Sequence, residues 1–264
     1  MRILITGTTG FVGHKLKASY TDAIAAPSLR NATQDMIKKI VEESEADVVI
    51  HTAAISDIGT CQKDPQSSYF ANVQIPLYLA AACKDRKLIC FSSDQVYSAC
   101  KEEGPYIEDV VKPGNIYAEH KLEMEERVLE LIPSAVMLRA EWMYDYVSPK
   151  PNYFLNVLHA SQQVSFSSRQ FRGVTYLKEV VENMDHVMTL PGGTYNFGSE
   201  TTHSMYEITE QFLQLLGKDV QLQDALPRHN LWMNCEKARK YGVEFSDVSD
   251  GLKRCLNDYK TVDK

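Results

Sequence analysis

No apolar run in the 264 residues reaches the length of about 18 that would suggest a membrane span. The opening Met1-Arg2-Ile3-Leu4-Ile5 is too short an apolar stretch to serve as a secretory signal. Neither a CxxC pair nor a zinc-like spacing occurs among the six cysteines, Cys61, Cys83, Cys90, Cys100, Cys235 and Cys255. They read as buried or free thiols of a reducing cytosol. Basic charge is in deficit: 28 Lys and Arg stand against 35 Asp and Glu, a net charge of -7, with no basic cluster. That argues against a nucleic-acid partner held by phosphate neutralisation. Glycine is scarce at 13, and no repeat, low-complexity tract or Gly/Ser/Pro-rich linker breaks the chain. Disorder is excluded as well, because hydrophobic residues make up 44% and charged residues 24%. A soluble cytoplasmic α/β protein remains, with an enzyme as the expected class.

Short apolar runs alternate with helix-period segments, the pattern of repeated βαβ units and a mostly parallel sheet. Strands are expected at Arg2 to Thr6, weakly at Ala23 to Ala26, and at Asp47 to Ala54, Leu88 to Ser93 and Ala135 to Arg139. Helices are expected from near Phe11, over Asp35 to Glu43, Pro76 to Cys83 and Tyr117 to Leu131, and over Asp250 to Tyr259. Ser204-Met205-Tyr206-Glu207 is a capping-box pattern that opens another helix. Beyond Arg139 the alternation becomes irregular. The expectation is a Rossmann-type doubly wound sheet over residues 1–140 and a smaller, mainly substrate-binding lobe over 141–264, with an element or two crossing back.

Gly7-Thr8-Thr9-Gly10-Phe11-Val12-Gly13 follows the first strand directly. Glycines there permit a tight strand-to-helix turn, close approach of backbone to a pyrophosphate, and close helix–sheet packing. The helix N-terminus adds unpaired N–H groups and the positive end of its dipole. Thr9, Phe11 and Val12 belong to the same candidate cradle. The acidic residue that would bind an adenosine ribose is missing after the second strand, where Ala26-Pro27-Ser28-Leu29-Arg30-Asn31 stands instead. Ser28 and Arg30 can take a 2′-phosphate, which favours NADP(H) over NAD(H); the alternative is a solvated Arg30 and either cofactor.

Tyr117 and Lys121 lie at i and i+4 on one helix face. A nearby ammonium favours the tyrosinate, so the lysine is expected to lower the phenol's pKa toward the range useful for proton transfer. Lys121 can also hold a ribose hydroxyl. Ser92 and Ser93 end a parallel strand, where open α/β sheets bind ligands, and a hydroxyl there can bond a substrate carbonyl.

With these residues in place, the sequence resembles the extended short-chain dehydrogenase/reductases, and within them the dTDP-4-dehydrorhamnose reductase branch of sugar-nucleotide 4-ketoreductases. The matching stretches are GTTGFVG, ADVVIHTAAISD, CQKDPQSSYFANV, SSDQVY, YAEHK, LRAEWMY, RGVTYLKEVVENM, GGTYNFGS and RHNLWMNCEK. The resemblance implies hydride transfer to the C4 keto group of a nucleotide-linked 6-deoxyhexulose, as in dTDP-rhamnose biosynthesis. Tyr117 would be the proton donor, Lys121 its partner, and Ser93 the hydroxyl on the carbonyl. Ala53, Ala54 and Ile55 would line the cofactor, Asn72 would support the strand, Asp94 and Gln95 would lie near substrate, and Trp142 would pack on the sugar or nicotinamide side. No metal ligands are assigned, and a homodimer is compatible with the resemblance.

The chain departs from that family at Ser93-Asp94-Gln95, where Thr-Asp-Tyr is common, and at Ala140-Glu141-Trp142, where Thr-Ser-Trp is common. Glu141 either brings negative charge to the substrate or points to solvent or Arg139. Gln95 argues against a 4,6-dehydratase, which carries an Asp-Glu pair at this strand end. Arg172 is weighed as a phosphate contact; His229 beside Arg228 reads as a surface residue, with a phosphate contact as the alternative. His51 reads as a core or loop histidine, Glu119, Glu123, Glu125 and Glu126 as a solvated helix face, and Trp232 and Met233 as packing in the small lobe. Two further functions stay open. One is a regulatory NADP-binding subunit resembling the methionine adenosyltransferase β subunit; the other is a nucleotide-sugar epimerase using the same Tyr/Lys pair.

Overall fold

Residues 1–148, 150–226 and 229–262 are described in the computed structural model. The first half runs β1 (Ile3–Thr6), α1 (Phe11–Ser19), β2 (Ile24–Ala25), α2 (Gln34–Ser44), β3 (Val48–His51) and α3 (Ile58–Lys63). It continues through α4 (Pro65–Tyr69), α5 (Ile75–Ala82), β4 (Lys87–Ser93), α6 (Ile116–Leu131) and β5 (Val136–Ala140). Then come β6 (Trp142–Tyr144), α7 (Tyr153–Leu158), β7 (Gln163–Phe166), β8 (Val174–Tyr176), α8 (Leu177–Glu182) and α9 (Met184–Thr189). The chain closes with β9 (Gly193–Phe197), α10 (Met205–Leu216), β10 (Gln221–Asp224), α11 (Glu236–Arg239) and α12 (Val248–Val262).

Six strands pair in parallel in the order β2-β1-β3-β4-β5-β9, a Rossmann-like sheet. Successive side chains alternate between faces, and both faces are covered. Ile3, Ile5, Val48, Ile50, Ile89 and Phe91 pack with Leu16, Val180 and Met184 on one side. Leu4, Val49, Leu88 and Cys90 pack with Ile37, Val41, Leu79, Met124 and Val128 on the other. Burial on two faces is why these strands read as continuous apolar runs. Truncating one such fully buried leucine, Leu88→Ala for example, would cost about 2–5 kcal/mol. Strand order reverses between β1 and β3, and the crevice outside their carboxyl ends is where such sheets bind ligands.

The later residues divide. β9 returns to the central sheet, with Val136 opposite Gly193 and Ala140 opposite Phe197. The rest builds two small parallel pairs, β6 with β8 and β7 with β10. They surround a second apolar cluster that includes Tyr144, Phe154, Tyr176, Ile208, Phe212 and Leu252. The capping box at the start of α10 forms: the Ser204 hydroxyl accepts the Glu207 N–H, and the Glu207 carboxylate accepts the Ser204 N–H at 2.8 Å. A third cluster joins Val96, Tyr97 and Tyr106 to Leu231 and Met233, so Met233 packs against the residues following β4 rather than within the lobe.

Two expectations need correction. The helix foreseen at Pro76 to Cys83 is the last part of a helical run that starts at Pro65 and widens into a π turn at Phe70–Gln74. Pro76 has no N–H to give the carbonyl of Asn72, and a broken i→i−4 ladder is a common origin of such a turn. The acidic helix is also not solvated throughout: Glu125 is buried and its carboxylate takes Arg139 Nη2 at 2.7 Å and the Ser92 hydroxyl. A lone arginine in a buried strand requires a counter-charge, and Glu125 supplies it.

Candidate active site

The carboxyl ends of β1, β3, β4 and β5 open into a cleft of about 1260 Å³. At one end lies the glycine turn. Gly7 sits in the left-handed region at φ +73, and a Cβ there would stand 2.7 Å from the Ala53 nitrogen. Gly13, inside α1, packs so near the Gly7 carbonyl and the Thr52 hydroxyl that any side chain would overlap them. The Thr52 hydroxyl ties the two strand ends by donating to the Thr6 carbonyl at 2.7 Å. Gly10 caps α1 without a side-chain bond, which leaves the first-turn N–H groups of the helix facing the cleft mouth.

The loop after β3 is clamped from beneath. Asn72 is fully buried on the π turn; its Oδ1 accepts the Ile55 N–H at 3.1 Å and its Nδ2 donates to the Ile55 carbonyl at 2.9 Å. Ala53, Ala54 and Ile55 thereby line the cleft floor in a fixed conformation. Ser28 and Arg30 form its outer edge beyond β2, both exposed, and no carboxylate among the described residues lines that edge. A cradle that a Cβ would fill and an uncapped helix start fit a dinucleotide.

Midway along the cleft, Asn115 caps α6 by accepting the Ala118 N–H at 2.9 Å, and its amide donates to Gln95 Oε1 at 3.2 Å. That pair ties the first turn of α6, which carries Tyr117, to the residues just after β4. Ser93 is the last residue of β4; its hydroxyl accepts the Gln95 N–H at 3.2 Å and acts on the Tyr117 phenol as a hydrogen-bond partner. Lys121 Nζ lies 5.9 Å from the Tyr117 ring centre and donates to the Phe91 carbonyl at 2.7 Å. Ser92, Ser93, Gln95, Tyr117 and Lys121 all line the cleft.

The expected lowering of the tyrosine pKa does not appear in this form of the site. Burial pushes the phenol up, the Ser93 hydroxyl opposes that, and the Asp94 charge adds to it. Burial likewise pushes Lys121 down, to about 8. With its ammonium bonded to a strand carbonyl, the lysine does not offset the desolvation of the phenol. The result is a tyrosine that keeps its proton.

At the far end the side chains come from distant segments. Asp94 and Arg172 form a buried ion pair at 2.6 Å, and the Arg172 guanidinium lies 3.9 Å above the exposed Trp142 ring. Arg172 is thus committed to Asp94 and Trp142 and lies behind the cleft lining, with its Nε unpartnered. Glu141 points neither to solvent nor to Arg139. It is buried, takes the Thr175 hydroxyl, and burial pushes its carboxyl up to about 8 against the opposing Thr175 bond.

Of the residues set aside, His51 is buried, with Nδ1 2.7 Å from the Thr6 hydroxyl and Nε2 without a partner. Arg228 lies outside the described residues. Gln66, Ser67, Phe70, Met143 and Asn152, none of them expected from the sequence, also line the cleft. Asp64-Pro65, a capping residue followed by a first-turn proline, was a local signal for the helix carrying Gln66 and Ser67.

The family described as the RmlD substrate binding domain matches residues 1–259. A dTDP-4-dehydrorhamnose reductase of Mycolicibacterium smegmatis is 33% identical over 152 residues, covering 54% of this chain and 46% of that protein. The chain therefore aligns with less than half the length of that relative. One from Aggregatibacter actinomycetemcomitans is 27% identical over 224 residues, covering 78% of this chain and 76% of the other. Among solved structures, the dTDP-4-dehydrorhamnose reductase of Bacillus anthracis in complex with NADP superposes with a TM-score of 0.84. That match has 20% identity and covers 97% of this chain and 98% of the other, so it speaks for the fold.

Proposed function

The chain belongs to the RmlD substrate binding domain family, and from that premise we propose that it is an NAD(P)H-dependent ketoreductase acting on the C4 keto group of a nucleotide-linked 6-deoxyhexulose. The observation that carries this reading is the convergence of Ser93, Tyr117 and Lys121 in one cleft with the Gly7–Gly13 cradle. When bound, a reduced nicotinamide supplies the hydride. The main chain at Gly10, Phe11 and Val12 would hold its pyrophosphate, with Thr9 at the mouth and Ala53, Ala54 and Ile55 along the floor. Ser92 and Lys121 would meet the nicotinamide ribose. Ser28 and Arg30 would take a 2′-phosphate, which favours NADPH.

Ser93 donates its hydroxyl to the substrate carbonyl, and Tyr117 delivers its phenolic proton to the same oxygen as it becomes an alkoxide. A phenol kept protonated by burial suits that direction of transfer. Lys121 stabilises the tyrosinate left behind. Trp142 offers the sugar an exposed flat face beside Asp94 and Gln95. On this reading residues 1–140 bind the cofactor, with β9 completing their sheet, and residues 141–264 mainly receive the substrate. The same reading puts the protein in the cytosol and allows a homodimer.

Oxidation of NADPH and NADH with a dTDP-4-keto-6-deoxyhexose tests it, with Tyr117→Phe in parallel. Wild-type turnover falling about 10²–10⁴-fold in the variant, with cofactor binding retained, is the expected result. Cofactor binding without turnover of any nucleotide ketosugar would favour the regulatory-subunit reading, and tightly retained NAD⁺ with substrate inversion would favour the epimerase.

A further inference from the structure

Gly173 and Gly198 stand on two different segments, one just before β8 and one just after β9, and the space their missing side chains leave is filled by the carboxyl of Glu141. A Cβ on either glycine would overlap a Glu141 carboxyl oxygen. Thr175 on β8 supplies a hydroxyl bond, and its own oxygen is held by the Ser199 N–H at 2.8 Å. Two separate stretches of chain, 173–175 and 198–199, therefore shape one slot for this side chain at the substrate end of the cleft. The charged or titratable groups facing it are Asp94 from the turn after β4, Arg172 from the approach to β8, and Cys235 from the approach to α11.

We propose that Glu141 is a positioning residue whose carboxyl, seated in the Gly173–Gly198 slot, sets the charge balance of the Asp94–Arg172 pair and so governs how tightly the cleft holds an anionic nucleotide-linked substrate. This rests on the ketoreductase reading for the identity of the substrate. With its proton, Glu141 leaves Arg172 to Asp94 and adds no repulsion. Without it, two carboxylates share one buried guanidinium, the Arg172–Trp142 stack loosens, and a diphosphate-bearing ligand meets extra negative charge. The change belongs near neutral to mildly alkaline pH, since burial holds the carboxyl up to about 8.

Two measurements on the full chain test this. In a Trp232→Phe background Trp142 is the only tryptophan, and its fluorescence is followed from about pH 6 to about pH 10 with and without Glu141→Gln. A transition present with Glu141 and missing with glutamine is expected. In parallel, KM for a dTDP-4-keto-6-deoxyhexose should rise about threefold to tenfold across the transition in the wild type, with kcat little changed, and stay flat in the variant. Lys121 titrates in a similar range, but that contribution is common to both proteins. Superimposable profiles in the two proteins would overturn the proposal. If Glu141→Gln does not fold, Thr175→Val carries the test: loss of the hydroxyl that favours the carboxylate should move the midpoint upward, and an unmoved midpoint overturns it. Absence of turnover with every nucleotide ketosugar would sink the ketoreductase reading alone, because the fluorescence titration needs no substrate.

Discussion

At the glycine end of the cleft, seven consecutive residues and one strand end form the surface, and most of what they present is main chain. At the Arg172 end, Asp94, Glu141, Trp142, Arg172, Thr175 and Cys235 converge from four separated parts of the sequence and present buried side-chain charge. The first end is fixed by sterics, which depend on local sequence and little on pH or salt. The second is fixed by desolvated electrostatics, where removing one partner strands another.

The sharpest way to break the comparison is at Arg172. Arg172→Met leaves the Asp94 carboxylate buried without its counter-charge and removes the stack on Trp142. A loss of about 3–5 kcal/mol in denaturant unfolding is expected. Adding Asp94→Asn should recover much of it, because the stranded charge is then gone. Cofactor affinity, read by fluorescence titration with NADPH at a temperature where the variant is folded, should hardly change. If it falls in step with stability, the two ends are one electrostatic unit and the contrast is wrong.

The same contrast explains what could be read from the amino-acid string. Gly7, Gly10 and Gly13 lie within one turn of each other, and β1, β4 and α6 carry strong local patterns, so the sheet, the cradle and the Ser93, Tyr117 and Lys121 set were all foreseeable. Glu125 could have been found too, since it follows Tyr117 and Lys121 at intervals of four on the buried stripe of α6. The neighbours of Glu141 had no such signal. Gly173, Thr175, Gly198 and Cys235 are joined only by folding, and a buried neutral carboxyl looks the same in sequence as a solvated one. The π turn that seats Asn72 is different: Pro76, which cannot donate to the Asn72 carbonyl, is visible in the sequence, but a first-turn proline reads as a helix start rather than as a widened turn.

A second test compares the two ends by pH. His51, beside Thr6 beneath the cradle, is held down to about 3, chiefly by burial and further by the Lys121 charge. The unfolded chain takes up a proton below about pH 6.5 that the folded chain refuses, so stability is lost as pH falls through that window. By about pH 5 the loss should be about 2 kcal/mol relative to a His51→Asn variant, measured by denaturant unfolding. Acid therefore acts beneath the glycine end and alkali at Glu141. Equal acid sensitivity in wild type and His51→Asn would remove that division.

The smallest expected effect lies at the cleft edge. Arg30 is exposed and Ser28 lies close by, with the Arg30 N–H 3.5 Å from the Ser28 hydroxyl. An exposed cation contributes little through Coulomb attraction alone, because water and salt screen it. A phosphate bonded by both the guanidinium and the hydroxyl gains more, about 1 kcal/mol for a charge-assisted contact at the surface. Arg30→Ala should therefore weaken NADPH binding by about fivefold to tenfold and leave NADH binding unchanged, with the difference shrinking as salt rises. Equal weakening of both cofactors would mean that Arg30 shapes the loop after β2 rather than reading the phosphate, and the preference for NADPH would then need another source.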